Sequence, residues 1–261
     1  MYPSISIGET MEKNGLKNRG RERKIGLWIG GVSTFFLISF FLVPFYLPSG
    51  TVPELSGRAN SIDYYSDDSW GNMQTESQSG LGHNQSEHGS FAWSELDFYA
   101  AFIYAFGDFN CHNKAERSWH INDNQMPVCV RDVGIFAGLA IGGFLFSRKG
   151  LNRWTIRDSF LSILPDDRME NVYKKNNRMK LLLLIAVLTI APMGFDGFIQ
   201  LFTDYESNAL MRLLTGLPFG MFIGLFLGAS FAARPIYFGN IPNNVNLPSN
   251  TKFQLVAEES E

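Results

Sequence analysis

The sequence predicts an all-α integral membrane protein, a helical bundle of about four transmembrane helices plus an outer interfacial helix. Three observations carry that reading. The mean hydropathy is near zero, yet the apolar residues gather in blocks long enough to cross a bilayer. Phe is abundant and sits mostly in those blocks. Very polar stretches separate them, and the strongly basic stretches are distinct from the acidic one. A spanning helix needs ~20 largely apolar residues, because the hydrocarbon core is ~30 Å thick and each residue rises ~1.5 Å. The net charge of −3 is too small to argue for nucleic acid. Two cysteines, Cys111 and Cys129, are too few for a disulfide-rich secreted scaffold.

Residues 1–24 form a basic tail carrying Lys13, Lys17, Arg19, Arg21, Arg23 and Lys24. The first transmembrane helix occupies 25–48, an apolar run closed by Pro44 and Pro48. The run is longer than a signal-peptide core and lacks its cleavage pattern, so the helix is expected to stay in the mature chain. Residues 49–90 are rich in Ser, Gly, Asn, Asp and Glu, with Arg58 as the one Lys or Arg among them. Such composition buries too little apolar area to offset ordering entropy, which predicts a mobile acidic outer linker. His83 and His88 lie in it as solvated loop residues, and Asn84-Gln85-Ser86 has the form of a glycosylation acceptor.

The membrane domain runs over 91–234. Its first segment, 91–109, is aromatic and interrupted by Glu95 and Asp97, which suits a helix lying at the interface. The second span, 128–147, ends at Arg148-Lys149. A basic loop, 148–180, follows, and Trp154, Ile156, Phe160, Ile163 and Leu164 within it predict a short interfacial helix. The third span is 181–202 and the fourth 209–233, joined by a short polar turn. Residues 235–261 read as a loose Asn/Pro-rich tail.

Basic segments remain cytoplasmic, so the N-terminal tail and the 148–180 loop are expected inside. The C-terminal tail then also lies inside, and the acidic linker outside. The chain is expected in a cell membrane as a multi-pass protein. Were 91–109 to span, the basic loop would be forced outside, which argues for four spans over five.

Gly134, Gly138 and Gly142 recur at intervals of four, as do Gly216, Gly220, Gly224 and Gly228. Small residues let helix backbones approach and gain van der Waals contact in lipid. The second and fourth spans are therefore expected to pack on these faces. The same faces offer a route to a homo-oligomer; the bilayer itself is the other expected partner.

Polar residues concentrate at the predicted outer ends of the spans. Cys111-His112 is followed by Glu116-Arg117-Ser118, and Cys129-Val-Arg131-Asp132 opens the second span. Asp196 and Gln200 share one face of the third span. Ser207-Asn208 and Arg212 open the fourth. Ionisable groups at that depth are costly unless paired or wet. Asp196 and Arg212 flank one turn and are the expected ion pair. Pro192 and Pro218 remove helix hydrogen bonds nearby. Cys111, His112, Cys129 and Asp132 have the donor chemistry of a zinc or similar transition-metal site. The rival reading is a Cys111–Cys129 disulfide, which requires close Cα atoms.

Four runs carry a resemblance: C-H-N-K-A-E-R-S from Cys111, Q-M-P-V-C-V-R-D-V-G-I-F from Gln125, P-M-G-F-D-G-F-I-Q from Pro192 and S-N-A-L-M-R-L-L-T-G from Ser207. Taken in order, they resemble the predicted membrane proteins of domain of unknown function 2085, over about Asn110 to Gly220. The chain departs at Asn113 and Ala115, where relatives have Gln and Pro, and has Asp132 where many have Cys. Asp substitutes for Cys as a metal ligand and not as a disulfide partner, which favours the metal. The resemblance implies no established activity.

The leading functional expectation is a polar, metal-binding site at the outer membrane face, with metal-dependent chemistry on a lipid or headgroup. Glu116 and Asp196 are the candidate bases. Arg117, Arg131, Gln200, Asn208 and Arg212 are candidates for substrate contact or for supporting the metal ligands. A small transporter or channel subunit is the alternative, weakened by the apolar inner halves Leu181 to Ile190 and Phe222 to Phe231. A structural or accessory subunit is the third.

Overall fold

A computed structural model describes residues 11–12, 15–16, 19–57, 62–73, 83–203 and 205–253 of the chain. The basic residues Lys13 and Lys17, and Arg58 of the linker, lie outside the described residues. The helices are α1 (Gly20–Tyr46), α2 (Gln85–His88), α3 (Phe98–Asn110), α4 (Val130–Lys149), α5 (Ile156–Leu161), α6 (Asp166–Lys174), α7 (Arg178–Phe202) and α8 (Ala209–Ala232). Two minimal antiparallel pairs accompany them, β1 (Met11–Glu12) with β2 (Gly15–Leu16) and β3 (His120–Ile121) with β4 (Asn124–Gln125).

Four helices, α1, α4, α7 and α8, are long and apolar enough to cross a membrane. The 91–109 segment does not form a fifth. Its helix, α3, has 13 residues and is about 20 Å long by helical rise. Asp97 explains the late start: its carboxylate accepts from Tyr99 N and Ala100 N, which makes it the N-cap. Pro44, Pro192 and Pro218 lie inside helices that continue past them. In α7 one face, with Leu181, Leu182, Ile185, Ala186 and Ile190, is half-buried against the core, while Leu183, Leu184, Val187 and Leu188 are exposed.

The chain divides into two compact units, and the division falls within all four long helices. The first unit comprises Met1–Gly31, Leu139–Ala191 and Met221–Glu261. Its core holds Phe146, Phe160, Leu161, Phe222, Ala229 and Ala232. The basic loop is more ordered than its composition suggests. Thr155 caps α5, Phe160 and Leu161 are fully buried, and Asp158 is a buried acceptor for Arg157 and Arg178. The C-terminal tail is packed over its described residues, with Phe238, Val245 and Leu247 buried against Met169 and Tyr173 of α6. A Cβ on Gly26 would lie 2.3 Å from Ser147 N, so α1 and α4 touch backbone to backbone here.

The second unit comprises Val32–Gly138 and Pro192–Gly220. Its core is built from Phe40, Val43, Val52, Leu55, Tyr64, Ile103, Tyr104, Met126 and Val128. The segment 49–90, expected to be loose, is held at several of its described residues. Val52 N donates to Asn124 Oδ1 at 2.8 Å, Leu55 N to Gln125 Oε1 at 2.7 Å and Ser56 N to Gln85 Oε1 at 2.7 Å. Buried amide side chains thus accept from backbone N–H groups of this stretch, and Val52 O and Leu55 O accept in turn from Gln125 N and Ala115 N. The β3–β4 turn supplies two of them: Asn122 and Asp123 both have positive φ, the conformation of a tight hairpin, and Asn124 and Gln125 follow.

The expected glycine packing is present in each unit. In the second, a Cβ on Gly134 would meet Leu213 O at 2.8 Å, on Gly216 Arg131 O at 2.4 Å and on Gly220 Ile135 O at 2.0 Å. In the first, the same test puts Gly142 2.5 Å from Met221 O and Gly224 2.7 Å from Leu139 O. The glycines of α4 and α8 therefore pack against the backbone of the facing helix within one protomer, Gly142 and Gly224 against each other. At these contacts they are not free to serve the homo-oligomer expected from the stripes.

Candidate metal centre

The centre lies in the second unit and begins with a glycine. Cys111 closes α3, its N–H bonded to Gly107 O at 2.8 Å. A Cβ on Gly107 would sit 1.9 Å from Pro127 O. The missing side chain lets the strand through Pro127 run against the last turn of α3. That approach carries Cys129 to Cys111, and Cys129 N donates to Cys111 Sγ at 3.1 Å. Asp132 follows one turn later at the start of α4, and Cys129 Sγ donates to its Oδ2 at 3.2 Å.

The two sulfurs and one Asp132 oxygen lie within 4.8 Å of one another, a group that could hold a metal ion. Two thiolates bound at ~2.3 Å to a tetrahedral zinc stand roughly 3.8 Å apart, so small side-chain shifts suffice. Cys111 and Cys129 are not joined by a disulfide. Cys111 is 3% exposed. The Cys129 thiol, burial and the neighbouring Cys129 and Asp132 charges, in that order, push its thiol well above the ordinary range. At neutral pH it holds its proton, and a cation is what would displace it.

His112 was expected as a fourth ligand. It is exposed and, among the described residues, does not join the group. Neither does Glu116, half exposed and paired with Lys114 at 3.7 Å. Three candidate ligands remain, the number that would leave one position of a tetrahedral ion open.

A polar network of the same unit involves α4, α7 and α8. The expected Asp196–Arg212 ion pair is not formed. Asp196 instead pairs with Arg131, the residue next to Asp132. Arg212 pairs with Glu206 at 2.6 Å, and Arg117 pairs with the other oxygen of the same carboxylate. Gln200 joins the two halves, donating to Asp196 Oδ2 at 2.8 Å and accepting from Arg212 at 2.9 Å. Ser207 also donates to Asp196, and its carbonyl accepts from Arg212 Nε. Asn208, expected to contact substrate, is exposed and caps α8 by accepting from Met211 N at 2.9 Å.

Asp196 and Gln200 share a face of α7, and the Gly216 and Gly220 contacts draw Arg131 of α4 close to α8. Glu206 satisfies the arginine left over; burial alone would raise its pKa, but the Arg117 hydrogen bond, then the charges of Arg117, Arg212 and Lys114, hold it below the usual range. Glu206 was missed because a single acid in a short polar turn carries no sequence signal. Asp108 was missed likewise: buried in α3, it accepts from Asp63 N, Tyr64 N and Trp93 Nε1.

The comparisons cover this region. The profile of a family described as predicted membrane protein (DUF2085) matches residues 111–226, from the first cysteine past the last arginine of the network. An uncharacterized protein of Methanothermobacter thermautotrophicus is 31% identical over 111 residues, which is 42% of this chain and 78% of the relative. An uncharacterized protein of Methanocaldococcus jannaschii is 28% identical over 141 residues, 54% of this chain and 72% of the relative. No solved structure matches. Four membrane-length helices, the four motif runs in order and these relatives lead to one conclusion: the chain belongs to the DUF2085 family of predicted membrane proteins.

Proposed function

We infer that the protein is a membrane metalloprotein, with Cys111, Cys129 and Asp132 as the ligands of a zinc-type ion and metal-dependent chemistry on a lipid headgroup as its activity. The convergence of two thiols and a carboxylate within 4.8 Å carries the reading. Two thiolates and one carboxylate suit a borderline ion, and the open fourth position is where a water or a substrate oxygen would be polarised. Arg131 ties the ligand-bearing turn of α4 to Asp196, so Asp196 positions the centre and is not available as a free base. The basic segments favour an orientation with both termini inside and the metal centre at the outer face.

The test is metal analysis of the full chain purified without chelator. One zinc or similar ion per chain is expected, falling to background in Cys129→Ser and in Asp132→Asn. Absence of stoichiometric metal together with a Cys111–Cys129 disulfide would overturn the assignment. Labelling that finds 148–180 accessible from outside would overturn the orientation.

A further inference from the structure

At the basic end of α1, in the first unit, two cavities flank the helix. One, of about 570 Å³, is lined by Arg19, Arg23, Leu27, Phe144, Ser147 and Arg148. The other, of about 640 Å³, is lined chiefly by Arg21, Lys24, Ile25, Trp28, Ile29 and Phe231. Neither has an acidic side chain in its wall. The nearest acid in sequence, Glu22, is 2% exposed and paired with Arg21.

The cations divide into two kinds. Arg19 is committed to the structure, donating to the carbonyls of Arg148 at 2.8 Å, Gly150 at 3.0 Å and Ser147 at 3.3 Å, where α4 ends. Arg21 does the same for α8, donating to Ala232 O at 3.0 Å and to Phe231 O. Arg23, Lys24 and Arg148 are exposed, and among the described residues their side chains have no ion-pair or hydrogen-bond partner. Each cavity thus has unspent positive charge at its mouth. Its other wall is apolar and open to the lipid side: Leu27 is 45% exposed, Trp28 73%, Phe144 40% and Phe231 53%.

A ligand for such a groove needs a negative head and an apolar body of chain length, joined end to end. A free anion would leave Leu27, Phe144, Trp28 and Phe231 uncovered, and a neutral lipid would leave the cations unmatched. We propose that the basic end of α1 binds anionic phospholipid, its phosphate held by Arg23 and Arg148 and an acyl chain lying along Leu27 and Phe144, with Lys24 and Trp28 repeating the pattern on the opposite flank. Basic pockets beside membrane helices take headgroups in this way, and each cation near the surface adds to the attraction. The site is remote in sequence from the metal ligands and does not depend on them.

The test is native mass spectrometry of the full chain, released from detergent with equal amounts of phosphatidylglycerol and phosphatidylcholine. Retention of phosphatidylglycerol is expected to exceed that of phosphatidylcholine by on the order of tenfold, the effect of two unspent cations. The variant Arg23→Gln/Arg148→Gln should lose most of that preference at unchanged melting temperature. The control Lys174→Gln/Lys175→Gln removes equal charge from α6 and its C-terminus and should keep it. No preference in the wild type, or equal loss in the control, overturns the proposal. A double variant that does not fold is replaced by Arg23→Gln alone, for which a halved or smaller preference is expected and an unchanged one overturns the site.

Discussion

Asp196 of α7 is ion-paired with Arg131 of α4, one residue from the candidate metal ligand Asp132. The pair is mostly buried, Asp196 being 7% exposed. Removing one partner strands the other. Asp196→Asn should therefore cost about 3 kcal/mol, the lower end for a broken buried pair because Arg131 retains some exposure. Thermal unfolding in detergent measures it. The double variant Asp196→Asn/Arg131→Gln should recover part of the loss, and failure to recover any would mean that the pair is not the relevant interaction.

Two glycines separate close packing from mere composition. Gly220→Ala would place Cβ 2.0 Å from Ile135 O, and α4 and α8 would have to part. A loss of about 1–3 kcal/mol is expected. Gly194→Ala meets nothing within 4 Å. It should be neutral or stabilising by up to about 1 kcal/mol, through helix propensity alone. Equal effects of the two in the same melting experiment would refute the contact.

Asp108 anchors the segment between α1 and α3. Asp108→Ala leaves the N–H groups of Asp63, Tyr64 and Trp93 without their shared acceptor. About 2–4 kcal/mol should be lost, since each orphaned buried donor costs roughly 1–3 kcal/mol and water will recover some of it. Trp93 fluorescence should shift to the red as its indole loses that partner. Protease cleavage around Ser56 to Met73 should become faster, and unchanged cleavage would argue against the anchor.

Acid should loosen the arginine network through Glu206. Its folded pKa lies below the unfolded value of 4.5, so the carboxylate binds fewer protons when folded. Its stabilising contribution is complete above that value and disappears as pH falls through the folded pKa. The melting difference between wild type and Glu206→Gln should be full at about pH 6 and shrink below about pH 4. A difference that stays constant over that range would contradict the assignment.

Length and spacing within one segment were legible in the sequence. Four apolar blocks marked the four membrane-length helices, because crossing hydrocarbon demands a run that composition alone displays. Glycines four apart marked the α4–α8 contact, since they recur on one helical face. Cys129 and Asp132 are one turn apart and were bound to be neighbours. Only the tertiary structure decided which partners met across segments. Asp196 pairs with Arg131, and Arg212 with Glu206. A close pass at Gly107 joined Cys111 to Cys129, while the backbone turned His112 outward. Buried amides at Gln85, Asn124 and Gln125 ordered a segment whose composition reads as loose. Hydrogen bonds of that kind depend on where a side chain lands in space, and no periodicity in the chain records it.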